Sequence, residues 1–231
     1  MKVPPRIQPL VEDGLVDEVI SRLMSGKEAD VYVVRSAGEI RCAKVYKDVK
    51  TRSFKQAVQY QEGRKVRNTR RGRAMERGSK FGKQQKEQTW HTAEVDALAL
   101  LANTEVRVPE AHGLFDGVLL MELITGADGR VAPRLADISM ASEEAIKDHV
   151  TVIDFIKKML CIGMVHGDLS EFNVLVDANG PVIIDLPQAV DASANNHAQE
   201  MLVRDVRNIN NYYGRFAPEL FNNRSAHEMW S

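Results

Sequence analysis

The sequence predicts an α+β chain in two parts, an antiparallel sheet followed by a mainly helical half. Three observations predict it. Short β-branched runs punctuated by glycine turns fill residues 15–46. An apolar period of helical spacing runs from Ile146 to Leu160. Two tight turns, Asp116-Gly117 and Asn179-Gly180, each sit between β-rich stretches and mark further hairpins.

Size and composition set the limits. A chain of 231 residues holds one large domain or two small lobes around a cleft. With 44% apolar and 27% charged residues and no long apolar run, it reads as a soluble protein without a membrane span. Met1 to Pro5 lacks the apolar core of a signal peptide, so a cytoplasmic location is expected. Cys42 and Cys161 each lie in an apolar stretch and read as buried free thiols, not as a disulfide or a metal site. A net charge of −1 hides a strong asymmetry. Between Arg64 and Lys86 ten basic residues face one acid, Glu76, so the rest of the chain is acidic.

Residues 1–13 predict a short lead-in helix after Pro4-Pro5, closed by Gly14. Strands are expected at 15–24, 31–35 and 40–46, joined by turns at 25–30 and 37–39. The first turn matches the phosphate-covering pattern G-x-G-x-x-G-x-V only at Gly26 and Val31, with Met24 and Ala29 in the outer glycine positions. Alone the match is weak and reads better as a plain hairpin turn. Lys44 adds weight, because Cys42-Ala43-Lys44 resembles the V-A-I-K strand whose lysine grips the α and β phosphates of ATP.

Residues 47–88 hold few apolar positions and read as a solvated, flexible basic loop. Its charge at 64–86 also suits phosphate, whether of a nucleotide or of RNA. Phe54, Tyr60 and Phe81 are too widely spaced to form a base-stacking platform. Thr89 to Ala102 returns to helical spacing, with Thr89 as a cap and Glu94, Leu98 and Leu101 on one face. Glu94 is the candidate partner for Lys44; Glu87 and Glu105 are alternatives, but only Glu94 sits mid-helix on the apolar face.

After Pro109, Ala111–Phe115 and Val118–Leu123 predict a hairpin. The segment Leu119 to Ile124 leads from one lobe to the other, where backbone groups of Glu122 and Ile124 can read an adenine edge with Met121 behind it. A buried core strand gives the same pattern. Ser142 before Glu143-Glu144 predicts a capped helix that buries Ile146, Val150, Ile153, Ile156 and Leu160 and stops at Gly163. A last helix carries Leu202, Val206, Ile209, Tyr213 and Phe216 as a packing stripe, and the histidines show no metal-ligand spacing.

The chemistry concentrates in His166-Gly167-Asp168-Leu169-Ser170-Glu171-Phe172-Asn173, where an Asp stands five positions before an Asn. Twelve positions further on, Val182-Ile183-Ile184-Asp185 ends in a second Asp. In a phosphoryl-transfer loop H-x-D-x-x-x-x-N the first Asp takes the acceptor's hydroxyl proton, and the Asn and second Asp hold magnesium. Magnesium favours hard oxygen ligands, which these residues supply. The hairpin around Asn179-Gly180 brings Asn173 and Asp185 to one end of a strand pair.

Ser25-Gly26-Lys27-Glu28-Ala29-Asp30-Val31-Tyr32, Ala43-Lys44-Val45-Tyr46-Lys47, the His166–Asn173 loop and Ile184-Asp185-Leu186-Pro187-Gln188-Ala189-Val190 together resemble the RIO-type atypical protein kinases, closest to the first RIO subfamily. The likeness runs from about Gly14 to Tyr213. It implies a two-lobed protein-kinase-like fold, with an antiparallel N-lobe at 1–122 and a mainly helical, truncated C-lobe at 123–231. It implies a serine/threonine kinase using ATP with Mg2+, or Mn2+ in its place, autophosphorylation included. Asp168 is then the catalytic base, Asn173 and Asp185 the metal ligands, Lys44 and Glu94 the positioning pair, and Ser25 to Lys27 the phosphate cover. Some members act as ATPase switches with phosphate carried on the metal-binding Asp, here Asp185.

The departures carry expectations too. Gly167 stands where ordinary kinases have Arg, and Leu186-Pro187 replaces Phe-Gly. Only 46 residues follow Asp185, too few for an activation segment plus a peptide-docking region, so regulation by activation-loop phosphorylation is not expected. Two other readings compete. A small-molecule phosphotransferase of the aminoglycoside or choline kinase type shares His-Gly-Asp but needs more helical structure after the second Asp. An ATP-dependent module for RNA or a ribosomal particle would use the 64–86 loop. The expected partner is a protein with a Ser or Thr acceptor, and no membrane.

Overall fold

The computed structural model describes residues 1–47, 92–222 and 229–230. The basic stretch 64–86, with most of the predicted 47–88 loop and the Thr89 cap, lies outside the described residues. The described chain divides into two compact units, 1–47 with 92–99 and 109–123, and 100–108 with 124–222 and 229–230.

The first unit is built on a five-stranded antiparallel sheet, β1 (Glu18–Ser25), β2 (Ala29–Ser36), β3 (Glu39–Tyr46), β4 (Ala111–Phe115) and β5 (Val118–Glu122). The spatial order is β1-β2-β3-β5-β4. Each hairpin falls where the turn chemistry predicts it. Asp116 and Gly117 both adopt positive φ, 44° and 79°, as a two-residue turn matched to strand twist requires. The lead-in helix is shorter than the sequence suggests: α1 spans only Gln8–Glu12, and Gly14 at φ 72° ends it. Its Leu10, with Ile7, packs on Val34, Ala43, Val45, Val118 and Leu120, which alternation places on one sheet face. Helix α2, residues 92–101, buries Glu94, Leu98 and Leu101 as their spacing predicts.

The second unit centres on α3 (Ser142–Cys161) and α4 (Ala198–Tyr213), with two small strand pairs, β6 (Met164–Val165) with β9 (Val190–Asp191), and β7 (Val174–Asp177) with β8 (Gly180–Ile183). Here the structure corrects five details. Ala141, not Ser142, occupies the cap position of α3, and no side chain caps the helix. Its buried stripe is Ala145, Asp148, His149, Val152, Ile153, Phe155, Ile156 and Met159, while Ile146 and Val150 are exposed. The buried face is turned because it includes a small residue and two polar ones. His149 is satisfied inside, its Nε2 bonded to Asn210 Oδ1 at 2.8 Å. Cys161 is exposed on the last turn of α3, whereas Cys42 is buried as expected. The β7–β8 turn centres on Ala178-Asn179, one residue earlier than Asn179-Gly180, because Asp177 Oδ1 accepts the Asn179 N–H at 2.7 Å. Phe216 lies beyond the end of α4 and packs on Tyr212.

Candidate active site

In the first unit, β3 and α2 bring Lys44 and Glu94 together. Side chains 42, 44 and 46 share one sheet face, opposite the α1 core. Lys44 Nζ donates to both carboxylate oxygens of Glu94 at 2.7 Å. The two side chains are 9% and 2% exposed, so the pair is internal. Tyr46 Oη donates to Glu94 Oε2, and the Lys44 ammonium lies 5.5 Å from the Tyr46 ring centre. Either charge alone would carry a large desolvation cost; held to each other and to Tyr46, they are matched. Burial pushes the adjacent Cys42 thiol up to about 12, so it stays a neutral packing group. Tyr46 escaped the sequence reading, although its place two residues beyond Lys44 on the same face was the available signal.

The predicted phosphate-covering turn is closed by its own bonds. Ser25 Oγ donates to Asp30 Oδ1 at 2.7 Å and the Gly26 N–H to the Ala29 carbonyl at 2.9 Å. Lys27 stands exposed at the tip. Of the adenine-edge candidates, Met121 is half-buried and Ile124 buried. The Glu122 N–H donates to the Glu110 carbonyl at 2.8 Å, and the Ile124 carbonyl accepts from Ala132 at 2.9 Å.

In the second unit, the 166–173 loop presents Asp168 on the surface between buried His166, Gly167 and Leu169. Asn173 Nδ2 donates to the Asp168 carbonyl at 2.8 Å, which turns Oδ1 of the amide the other way. The Ile184 N–H donates to the Asn173 carbonyl at 3.0 Å, so the two ends of the β7–β8 hairpin are tied. Asp185 follows directly, at φ 66°. A non-glycine residue held left-handed is strained, and such positions cluster at functional sites. His166 orders the same corner. Its Nδ1 accepts the Asp168 N–H at 3.3 Å, leaving Nε2–H to donate to the Ile184 carbonyl at 3.1 Å.

Helix α4 suspends this loop from behind, a role the sequence reading missed. Asp205 accepts the Gly167 N–H at 2.8 Å on one oxygen and the Leu169 N–H at 3.1 Å on the other. Arg204 donates to the Gly167 carbonyl, and Asn208 Nδ2 to the Leu169 carbonyl at 3.0 Å. The signal was there: Asp205 falls between Leu202 and Ile209 on the apolar stripe, where an acid needs a reason. Burial drives the Asp205 carboxyl up to about 7 against the two amide donors and Arg204. Asp168 is also raised, by desolvation and by the charge of Asp185, while Arg204 opposes the shift.

Arg107 braces the hairpin. Its guanidinium takes Asp177 in a fork, with Nη1 to Oδ1 at 3.0 Å and Nη2 to Oδ2 at 2.5 Å. Nη1 also reaches the Gly180 carbonyl at 3.0 Å, and the Arg107 carbonyl accepts from Ile183 at 2.9 Å. No group of three or more His, Cys, Asp or Glu side chains among the described residues could cage a metal. The Asn173 and Asp185 oxygens fit magnesium, which takes one or two protein oxygens and fills its shell with water and phosphate.

The sequence model of the RIO domain matches residues 30–226. The human serine/threonine-protein kinase RIO1 is 32% identical, across 94% of this chain and 37% of that protein. The RIO-type serine/threonine-protein kinase Rio1 of Haloferax volcanii is 31% identical, across 90% of this chain and 68% of that protein. The chain thus spans little more than a third of the human relative. Among solved structures, the Rio2 kinase–ADP/Mg2+–phosphoaspartate complex from Chaetomium thermophilum superposes with a TM-score of 0.64 at 22% identity, covering 91% of this chain and 59% of that one. That likeness extends the observed α+β architecture to a protein-kinase-like fold. With the RIO domain matched over residues 30–226 of this chain and an archaeal relative, 31% identical, aligned over 68% of its own length, the chain belongs to the RIO kinase family.

Proposed function

We propose that the chain transfers the γ-phosphoryl group of ATP to serine or threonine of a protein, itself included, in a Mg2+-dependent reaction. The observation that carries this reading is the bonded corner of the second unit, where Asn173, tied to Asp168 and Ile184, stands beside the strained Asp185. Asp168 receives the acceptor hydroxyl's proton as the oxygen attacks phosphorus and the bond to ADP breaks. Burial, with the charge of Asp185, raises its pKa above the ordinary carboxylate value and makes it a stronger base than a free aspartate. Asn173 Oδ1 and the Asp185 carboxylate hold the metal, which when bound neutralises phosphate charge. Lys44, aimed by Glu94 and Tyr46, holds the α and β phosphates, with Ser25 to Lys27 above them. The Glu122 carbonyl and Ile124 N–H serve the adenine edge, since the partner group of each is already bonded. Residues 1–122 and 123–231 act as the two lobes. The basic stretch 64–86 contacts RNA or a ribosomal particle.

A second reading follows from the exposure of Asp185 and from the phosphoaspartate in the Chaetomium relative. A carboxylate oxygen of Asp185 attacks the γ phosphorus, ADP leaves, and water then releases phosphate and restores the acid. One labelled-ATP experiment tests both. Asp168→Ala is expected to lose protein labelling by about 100-fold or more. Undiminished labelling in that variant removes Asp168 as the base. Hydroxylamine-labile label on the chain, absent in Asp185→Asn, marks the switch.

A further inference from the structure

The turn that covers the phosphates in the reading above carries a second set of charges which that reading does not use. Asp30, the second residue of β2, pairs with Ser25, the last residue of β1. Its Oδ1 gathers three donors: Ser25 Oγ at 2.7 Å, Arg22 Nη2 at 2.7 Å and Lys47 Nζ at 3.0 Å. Lys47 follows the last residue of β3, three positions beyond Lys44. It reaches back to the turn four times. Its backbone N–H donates to the Glu28 carbonyl at 2.8 Å, and Nζ donates to the Gly26 carbonyl at 2.7 Å and to Ser25 Oγ at 3.3 Å, besides pairing with Asp30. The side chains of Asp30 and Lys47 are 21% and 31% exposed, so the cluster is shielded more than an ordinary surface pair. Although burial opposes it, the donation from Ser25, Arg22 and Lys47 holds the Asp30 carboxyl below its usual range. The carboxylate is therefore present wherever the protein works.

We propose that Asp30 and Lys47 form a latch that fixes the Ser25–Ala29 turn to the end of the strand bearing Lys44, and so set the affinity and residence time of the bound nucleotide. A turn with a single glycine cannot depend on a run of flexible backbone amides to mould itself on phosphate. Its position has to be imposed from outside, and Lys47 does this through backbone and side chain together. Both residues act through the turn and neither need touch the nucleotide; they are positioning residues. The proposal rests on the assignment of this turn and Lys44 to ATP phosphates.

The sign of the Asp30 variant separates this role from direct phosphate binding by Lys47. If the latch operates, Asp30→Ala and Lys47→Ala each raise the KM for ATP about 5-fold, as expected for a partly shielded ion pair. Each speeds release of a fluorescent ADP analogue by a similar factor, with kcat at saturating ATP within about twofold. The double variant is no worse than the worse single one, because the interaction is shared, and Lys47→Arg retains most of the affinity. If Lys47 instead contacts phosphate, Asp30→Ala frees it and tightens ATP, which overturns the latch. A fall in melting temperature with unchanged KM and release rate reduces the cluster to a structural brace and also overturns it. Lys44→Ala serves as the control. Loss of labelling there with unaffected latch variants sinks only the latch, whereas full activity in Lys44→Ala removes the underlying site assignment.

Discussion

Glu94 holds two partners at once, Lys44 and Tyr46, and its loss is therefore costly to the first unit. Changing Glu94→Gln keeps the shape but removes the carboxylate charge to which the buried Lys44 ammonium donates. Removing one member of a buried pair costs roughly 3–5 kcal/mol. Urea unfolding should show a loss of that order together with a fall in kcat. Tyr46→Phe, which removes one hydroxyl from the same carboxylate, should cost only about 1 kcal/mol. Asp205 gives a pH signature instead. Its carboxyl titrates near 3.8 in an unfolded chain but about 7 in the fold. Between those values the native protein keeps a proton that the unfolded chain has released. Its contribution to stability is thus full below about pH 4 and is lost as pH rises to about 7. The stability difference between wild type and Asp205→Asn, measured by urea unfolding from pH 4 to 8, should change across that window. A constant difference would show that Asp205 is ionised throughout.

Among the elements, the β7–β8 hairpin is held from outside by Arg107, and Asn173 and Asp185 flank its two ends. Arg107→Ala removes the guanidinium from the Gly180 carbonyl and from Asp177, which keeps only backbone donors such as the Asn179 N–H. A loss of about 1–3 kcal/mol is expected for a charge-assisted fork of this kind. If the proposed Mg2+-dependent reaction holds, activity should fall with it through weaker metal binding, seen as a higher Mg2+ requirement; an unchanged Mg2+ titration would confine Arg107 to stability. Elements that obey strong local rules were legible in the sequence. The β4–β5 hairpin follows from Asp116-Gly117 between β-branched runs, and Glu94 was found because a helix face shared with Leu98 and Leu101 must be buried. What stayed hidden depends on long-range partners. The buried face of α3 was misplaced because His149 and Asp148 count as polar until Asn210 and the packing around them are known. Asp205 read as part of a packing helix because its partners are backbone amides 36 and 38 residues away, and no spacing rule points to them.

At the scale of the whole molecule, the RIO domain match takes in residues 30–226 of this chain. The aligned part makes up 37% of the human relative, most of which lies outside it. The charge asymmetry is the one property of the full sequence that points outward. Deleting 64–86 should weaken RNA binding at a fixed salt concentration and flatten its salt dependence, with nucleotide binding preserved. Equal RNA affinity in the deletion would remove that partner. The suspension of the 166–173 loop from α4 has a consequence of another kind. Three side chains, Arg204, Asp205 and Asn208, make four bonds to the backbone at Gly167 and Leu169. Even if only three of these are counted at roughly 1 kcal/mol each, a displaced loop is populated to less than about 1%. A compound that recognises only the displaced loop would therefore lose at least about 100-fold in apparent affinity before making any contact. Selective inhibitors should be sought among molecules that accept the loop as it stands and exploit the ground on either side of it.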